Sequence, residues 1–195
     1  GNHKDFVPNV LQEGSPFQDV RVRKAVSLWL DRQEGIDLVR GDRSLGTVRG
    51  LWEPTGPFSH PDLMSWPGYN PDTKTADRAE ARRLLTEAGF PDGFDTTMVC
   101  RNVNVEWCVW FAGHLEPLGV NMKLDSVDTS TSEDKGCSGN YVVFNQTNTE
   151  NRNPEAFVRD LLRPDVNACT AYYHADPKLD EFVTTARAGS GGTFE

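Results

Sequence analysis

Apolar residues along the chain recur in two rhythms, and each predicts an element. In "SPFQDVRVRKAVSLWLDR", Ser15 to Arg32, they fall at Val22, Ala25, Val26, Trp29 and Leu30, the i, i+3/i+4, i+7 spacing of a helix buried along one side. Such a side needs a partner surface. The preceding "DFVPNV" offers one short strand, which Pro8 confines to an edge because proline has no amide donor for the ladder. "RQEGIDLVRG" reads as a second helix stopped at Gly41. The rhythm then breaks. From Gly41 to Pro71, "GLWEPTGPFSHPDLMSWPGYNP" and the residues before it scatter Gly and Pro among Trp52, Phe58, Trp66 and Tyr69. This predicts an extended segment over 41–71 that crosses a surface, its aromatics read first as anchors and second as the lining of a cleft.

Helical spacing returns in "TADRAEARRLLTEAGFPDGF", with Ala81, Leu84, Leu85 and Ala88 on one side. Its end is explicit: Gly89 for a left-handed cap, Phe90 to fold back, Pro91 to forbid continuation, and Asp92-Gly93 to turn the chain. "FDTTMVC" follows as a strand. "VNVEWCVWFAGHLEPLG" places Trp107, Trp110, Phe111, His114, Leu115 and Leu118 at helical spacing. Burial worth about 1.5–3 kcal/mol for each large side chain makes it a core helix. His114 on that stripe reads as a hydrogen-bonded interior or flanking histidine, with no partner nearby in sequence for catalysis. "VNMKLDSV" alternates as a strand with Val120, Met122 and Leu124 on one face, Thr129 to Gly139 reads as polar and irregular, and "YVVFNQ" suits a buried central strand. Asn153-Pro154 and Asp176-Pro177 mark two further helix starts, and 189–195 reads as a flexible tail. The order predicts an α/β fold, a mixed sheet flanked by helices on both faces, in a single domain over 1–195.

Composition narrows the function. The chain has 195 residues, 37% hydrophobic and 25% charged, without an apolar run of the roughly 20 residues that span a bilayer. Its start shows no charged-then-apolar signal pattern, so it reads as a mature or excised chain. A formal charge of -9, from 29 acids against 20 bases, opposes nucleic acid unless the bases cluster. They do not: Arg21, Arg23, Lys24, Arg78, Arg82 and Arg83 are interleaved with acids on helices. Cys100, Cys108, Cys137 and Cys169 form no CxxC pair and no Cys/His cluster at zinc spacing, so no metal is expected. They permit a disulfide in an exported protein, with the pairing open. A Gly-rich phosphate loop, GxSxG, HExxH and the zinc-deaminase pattern are all missing from the sequence, so no cofactor and no catalysis are expected. The enzyme alternative is a small α/β hydrolase-like protein using dispersed carboxylates such as Glu150 and Asp128.

"PFQDVRVRKAVSLWLDRQ", "TADRAEARRLLTEAGFPDGF", "HLEPLGVNMKLDSVD", "NYVVFNQ" and "AYYHADPKLDEFV", in that order from about Phe6 to Ala188, resemble successive landmarks of the family-5 extracellular solute-binding proteins, the dipeptide- and oligopeptide-binding proteins of bacterial ABC importers. The resemblance implies one lobe, the second or C-terminal one, of a two-lobed type II periplasmic-binding-protein-like fold. Its N-terminal lobe would be missing, its partner would be an ABC permease, and its location would be periplasmic or extracellular, with a membrane anchor on the outer face allowed. It implies capture of a peptide or related small molecule without chemistry. In peptide-binding members an aspartate in the loop after the strand matching "YVVFNQ" pairs with the ligand's α-amino group. Counting back from Pro154 puts Glu150 there, and the approach to it places Gln146 and Asn148 among the implied ligand contacts. The sequence departs from the family pattern in two ways. Glu150 sets its charge one methylene further out, and Asn145, Gln146 and Thr147 replace the flanking tryptophan and glycine.

Overall fold

The computed structural model describes residues 2–40, 48, 62–149, 178, 181, 184 and 185. The expected helices beginning at Pro154 and Pro177, the 189–195 tail and most of 41–61 lie outside those residues, apart from Lys178, Glu181, Thr184 and Thr185, which are helical. The opening helix, α1 (Val20–Trp29), is preceded by a short 3-10 turn, Pro16–Gln18, that Ser15 caps by accepting from the Phe17 amide. Asp19 then caps α1 by accepting from the Arg21 amide at 2.8 Å. Val22, Ala25, Val26, Trp29 and Leu30 are all buried, as their spacing requires. α2 (Arg32–Arg40) and α3 (Lys74–Glu87) follow, and α3 ends with the Phe90 amide returning to the Leu85 carbonyl at 2.9 Å.

The sheet has the order β1-β4-β2-β3. β1 (Asn2–Pro8) runs antiparallel to β4 (Val143–Thr149) at one edge, where Pro8 is the last strand residue. β2 (Phe94–Arg101) runs parallel both to β4 and to β3 (Val120–Val127). Helices lie on both faces. Met98, Cys100, Val120 and Val143 meet α1, α3 and α4 (Val105–Leu115) in the main core, while Val7, Val99, Tyr141 and Phe144 form the core of the other face.

Two expectations need correction. The buried side of α4 runs through Cys108, Phe111 and Leu115, continuing to Leu118, while Trp107, Trp110 and His114 flank it half-buried. A disulfide from Cys108 to Cys100 on β2 fixes that rotation, and Cys137 is disulfide-bonded as well. Thr129 to Gly139 is not irregular: Thr129–Ser138 is a helix, α5, capped by the Asp128 side chain and closed by Gly139 at φ 70. Its buried residues are Ser132 and Gly136, so a helix without an apolar stripe packs through small residues one turn apart. In the described part of the crossing segment Tyr69 is half-buried and Trp66 is exposed, while Trp52 and Phe58 lie outside the described residues. Tyr69 lies under the Arg32 guanidinium, 4.1 Å from its ring centre, and Trp66 meets Tyr69 edge-on.

His114 joins three helices. The Trp29 indole donates to its carbonyl at 2.7 Å, its ring stacks on Trp110, and its Nε2 accepts from the Asp31 amide at 3.1 Å. Nδ1 faces Glu34 at 3.5 Å, with Arg78 behind that carboxylate. Burial of a side chain only 9% exposed holds the imidazole pKa below its ordinary value, although Glu34 pulls the other way. The unfolded chain, with a pKa of about 6.5, therefore binds the extra proton more readily. This histidine's contribution to stability is present above that pH and is lost as pH falls through the folded pKa. Urea midpoints for the wild-type chain are expected to drop between pH 7.5 and 5, and His114→Gln, which keeps an acceptor for Asp31, is expected to flatten that drop. Equal slopes in the two proteins would remove His114 as the cause.

Candidate functional site

Because β2, β3 and β4 are parallel, their carboxyl ends at Arg101, Val127 and Thr149 gather at one end of the sheet. The first turns of α4 and α5 begin there too. Open α/β sheets receive ligands in the crevice outside such strand ends.

A polar cluster ties this end together. Lys4 of β1 stands opposite Thr147 of β4 in the ladder. Its Nζ donates to the Thr147 hydroxyl at 2.7 Å and to Oδ1 of Asn104 at 2.7 Å. Asn104, only 6% exposed at the start of α4, leaves the helix uncapped and donates from Nδ2 to the same hydroxyl at 2.9 Å. One pair further in, on the same face of β4, Asn145 lies opposite Phe6. It is 1% exposed, and among the described residues neither its amide nitrogen nor its amide oxygen has a hydrogen-bond partner. An orphaned buried polar group costs about 1–3 kcal/mol, so this position is not one that packing alone would choose.

On the opposite face Gln146 is half-buried and pairs with Asp5. Arg101, the last residue of β2, has its guanidinium 3.6 Å from Glu133 of α5. Asn148 is placed by its backbone opposite His3 in the β1–β4 ladder, while its side chain and the whole of Glu150 lie outside the described residues. Two of the three residues expected to face ligand thus reach the carboxyl end of β4. Lys4 and Asn104 were not among the expected site residues. The local sign of Asn104 is the polar "RNVN" between a strand and an apolar helix, and nothing local marks Lys4.

Asp128, offered as a carboxylate of an enzyme, is occupied in capping. It accepts from the Thr131 amide and hydroxyl, each at 2.9 Å, and these bonds hold its pKa below the ordinary carboxylate range. A general acid needs the opposite shift. No cluster of three or more His, Cys, Asp or Glu among the described residues is arranged to hold a metal ion, and no described helix is long and apolar enough to cross a membrane. An open cavity of about 820 Å³, lined by Glu13, Asp95, Thr97, Glu116 and Asn121, lies at the amino ends of β2 and β3, away from the strand ends that form the polar site.

Residues 2–168 match the family described as bacterial extracellular solute-binding proteins, family 5 Middle. The periplasmic oligopeptide-binding protein OppA of Salmonella typhimurium is 27% identical over 180 residues, which are 89% of this chain and 32% of that one. The chain therefore spans about a third of this relative. Among solved structures, HbpA2 from Haemophilus parasuis superposes with a TM-score of 0.77 at 19% identity, over 95% of this chain and 36% of its own. The periplasmic binding protein DppA from Helicobacter pylori, in complex with the peptide STSA, gives 0.72 at 19% identity, over 95% and 35%. These likenesses identify the fold as one lobe of a type II periplasmic binding protein. A match running from the edge strand through β4, over a sheet whose parallel strands end in one polar rim, means that this chain belongs to the bacterial extracellular solute-binding proteins, family 5.

Proposed function

We propose that this chain supplies one lobe of the solute cleft of a receptor that feeds an ABC importer from the periplasm or cell exterior. The carrying observation is the family match over residues 2–168 together with the polar rim at the carboxyl ends of β2, β3 and β4. In this reading the solute is a peptide or a related small molecule. It lies against Gln146 and Asn148, with the Glu150 carboxylate receiving a cationic group of the ligand. A second, N-terminal lobe closes over it by hinge motion and the permease reads the closed form. The protein captures and does not transform its ligand. The buried disulfide accords with an oxidising compartment.

Half a cleft binds weakly, because much of the contact surface belongs to the other lobe. Titration of the 195-residue chain with trialanine and with Ser-Thr-Ser-Ala, followed by amide shifts in NMR, is expected to give dissociation constants on the order of 1 mM or weaker, corresponding to about 4 kcal/mol or less. The shifts are expected at Asn104, Gln146, Thr147 and Asn148. Micromolar binding by the chain alone, or shifts centred on Asp95 and Asn121, would overturn this reading.

A further inference from the structure

The connection from β2 to α4 is closed covalently at the site's rim. Cys100, next to last in β2, is bonded to Cys108 at the end of the first turn of α4, and both are wholly buried. The seven residues between them contain both the outward and the inward parts of the rim. Asn102 and Val103 face out, Val103 being 75% exposed, while Asn104 turns in to hold Lys4 and Thr147. The stabilisation a disulfide provides by restricting the unfolded chain grows with the length of the loop it closes, so a separation of 8 residues puts this one toward the lower end of what such bonds provide. Its effect on the local order of the loop is undiminished, because few backbone conformers satisfy so short a ring. A rigid site also binds better than one that must be ordered by its ligand.

We propose that the Cys100–Cys108 disulfide is a positioning device for the solute site. It fixes loop 101–107 so that Asn104 holds the Lys4 ammonium and the Thr147 hydroxyl at the carboxyl end of β4. The proposal rests on the reading of this chain as a solute-binding lobe, but its structural half is measurable without any ligand.

The test compares the wild-type chain with Cys100→Val/Cys108→Ala, which keeps the space filled with apolar atoms, and with Asn104→Ala, which keeps the disulfide. Backbone amide order parameters at 102–107 and Thr147, with hydrogen exchange in α3, β2 and β3, are read by NMR, and trialanine is the binding probe. Without the disulfide, the order parameters at 102–107 and Thr147 are expected to fall from about 0.85 to below about 0.6 while those of α3 hold, and the trialanine response at Thr147 to weaken at least threefold. Asn104→Ala is expected to loosen Thr147 and weaken the probe equally while 105–107 keep their order. Uniform quickening of exchange across α3, β2 and β3 with no greater loosening of the loop would make the disulfide a general staple and overturn the proposal, as would unchanged order parameters in the loop. If the double variant fails to fold, an unaltered Thr147 in Asn104→Ala overturns it independently. A wild-type chain whose rim shows no shift with trialanine or Ser-Thr-Ser-Ala speaks against the solute reading, while the order parameters still decide whether the disulfide positions the loop.

Discussion

Lys74→Ala is expected to lower the stability of this lobe by about 3–5 kcal/mol, a large part of the 5–15 kcal/mol typical of a folded domain. The reason lies at the end of α1. A helix leaves its last carbonyls without intrahelical donors, and α1 stops abruptly because Leu30 turns extended. The Val26 carbonyl is met by the Leu30 amide, and the Ser27 carbonyl by Arg32 at 3.1 Å. Lys74 meets two more from the start of α3, donating to the Leu28 carbonyl at 3.1 Å and to the Leu30 carbonyl at 2.7 Å, while the Trp29 carbonyl lies 3.4 Å from His114 Nε2. Its third bond, also 2.7 Å, goes to the Gly68 carbonyl, which Arg32 shares. The side chain is 9% exposed. Burial, and then the neighbouring Arg32, push its pKa below the ordinary lysine value, while the Asp77 carboxylate 4.0 Å away pulls the other way, so the charge is held there by its bonds and by that carboxylate.

Alanine removes these donors and the aliphatic stem that fills the space. Two buried carbonyls are left at about 1–3 kcal/mol each, while Gly68 keeps Arg32. Lys74→Met keeps the stem and removes the cost of burying a charge, so it is expected to fall between wild type and alanine. Urea denaturation at pH 7 with an unchanged m-value reads the order directly. A loss under 1 kcal/mol for alanine would show that the carbonyls find other donors, and would end the view of Lys74 as the cap of α1.

Lys74 also marks where legibility in the sequence stops. A lysine in a polar stretch is read as solvated, and nothing within a local window says that its ammonium will cap a helix 44 residues earlier. What was legible is what depends on period. α1, α3 and the three parallel strands follow from apolar spacing, and the edge place of β1 follows from Pro8. α5 was missed because its contact with the sheet is made by Ser132 and Gly136, which carry no hydrophobic signal. The site divides in the same way. Gln146 ends the strand "YVVFNQ", whose pattern can be read, whereas Asn148 lies beyond it, and its place in β4 comes from pairing with β1. The bonds from Lys4 to Asn104 and Thr147 span 100 and 143 residues, and only the β1–β4 pairing and the closed β2–α4 loop bring those groups together. The disulfide pairing was open for the same reason: four cysteines and a spacing of 8 become informative only when β2 lies under α4.

Gly93→Ala is the substitution expected to disturb that arrangement most from a distance. Gly93 and Gly119 immediately precede β2 and β3, and both have positive φ, 82 and 91 degrees. Their backbones touch. A Cβ on Gly93 would fall inside contact distance of the Gly119 carbonyl oxygen and 2.6 Å from its Cα. The atoms it meets are backbone, so no side chain can swing aside. The same carbonyl accepts from the Phe94 amide at 2.9 Å, the bond that starts the β2–β3 ladder with Phe94 opposite Val120. Alanine therefore meets a left-handed backbone worth roughly 1–2 kcal/mol of strain and an overlap relieved only by parting the two strands. The expected loss is on the order of 4 kcal/mol, in the range that signals a specific steric cause. Relief by separation at the amino ends tilts β2 against β3 along their whole length and shifts Arg101 and the disulfide-closed loop at the other end. In this variant NMR shift changes are expected to run from Phe94 through Asn104, and the trialanine response at Thr147 to fall together with the denaturation midpoint. Gly89→Ala is the control, since a Cβ at Gly89 meets nothing within 4 Å despite its positive φ. It is expected to show the backbone strain alone, at about a third of the loss, with the carboxyl end unmoved. Equal losses for the two variants would assign the whole effect to backbone conformation and remove the Gly93–Gly119 contact as what holds β2 and β3 in register.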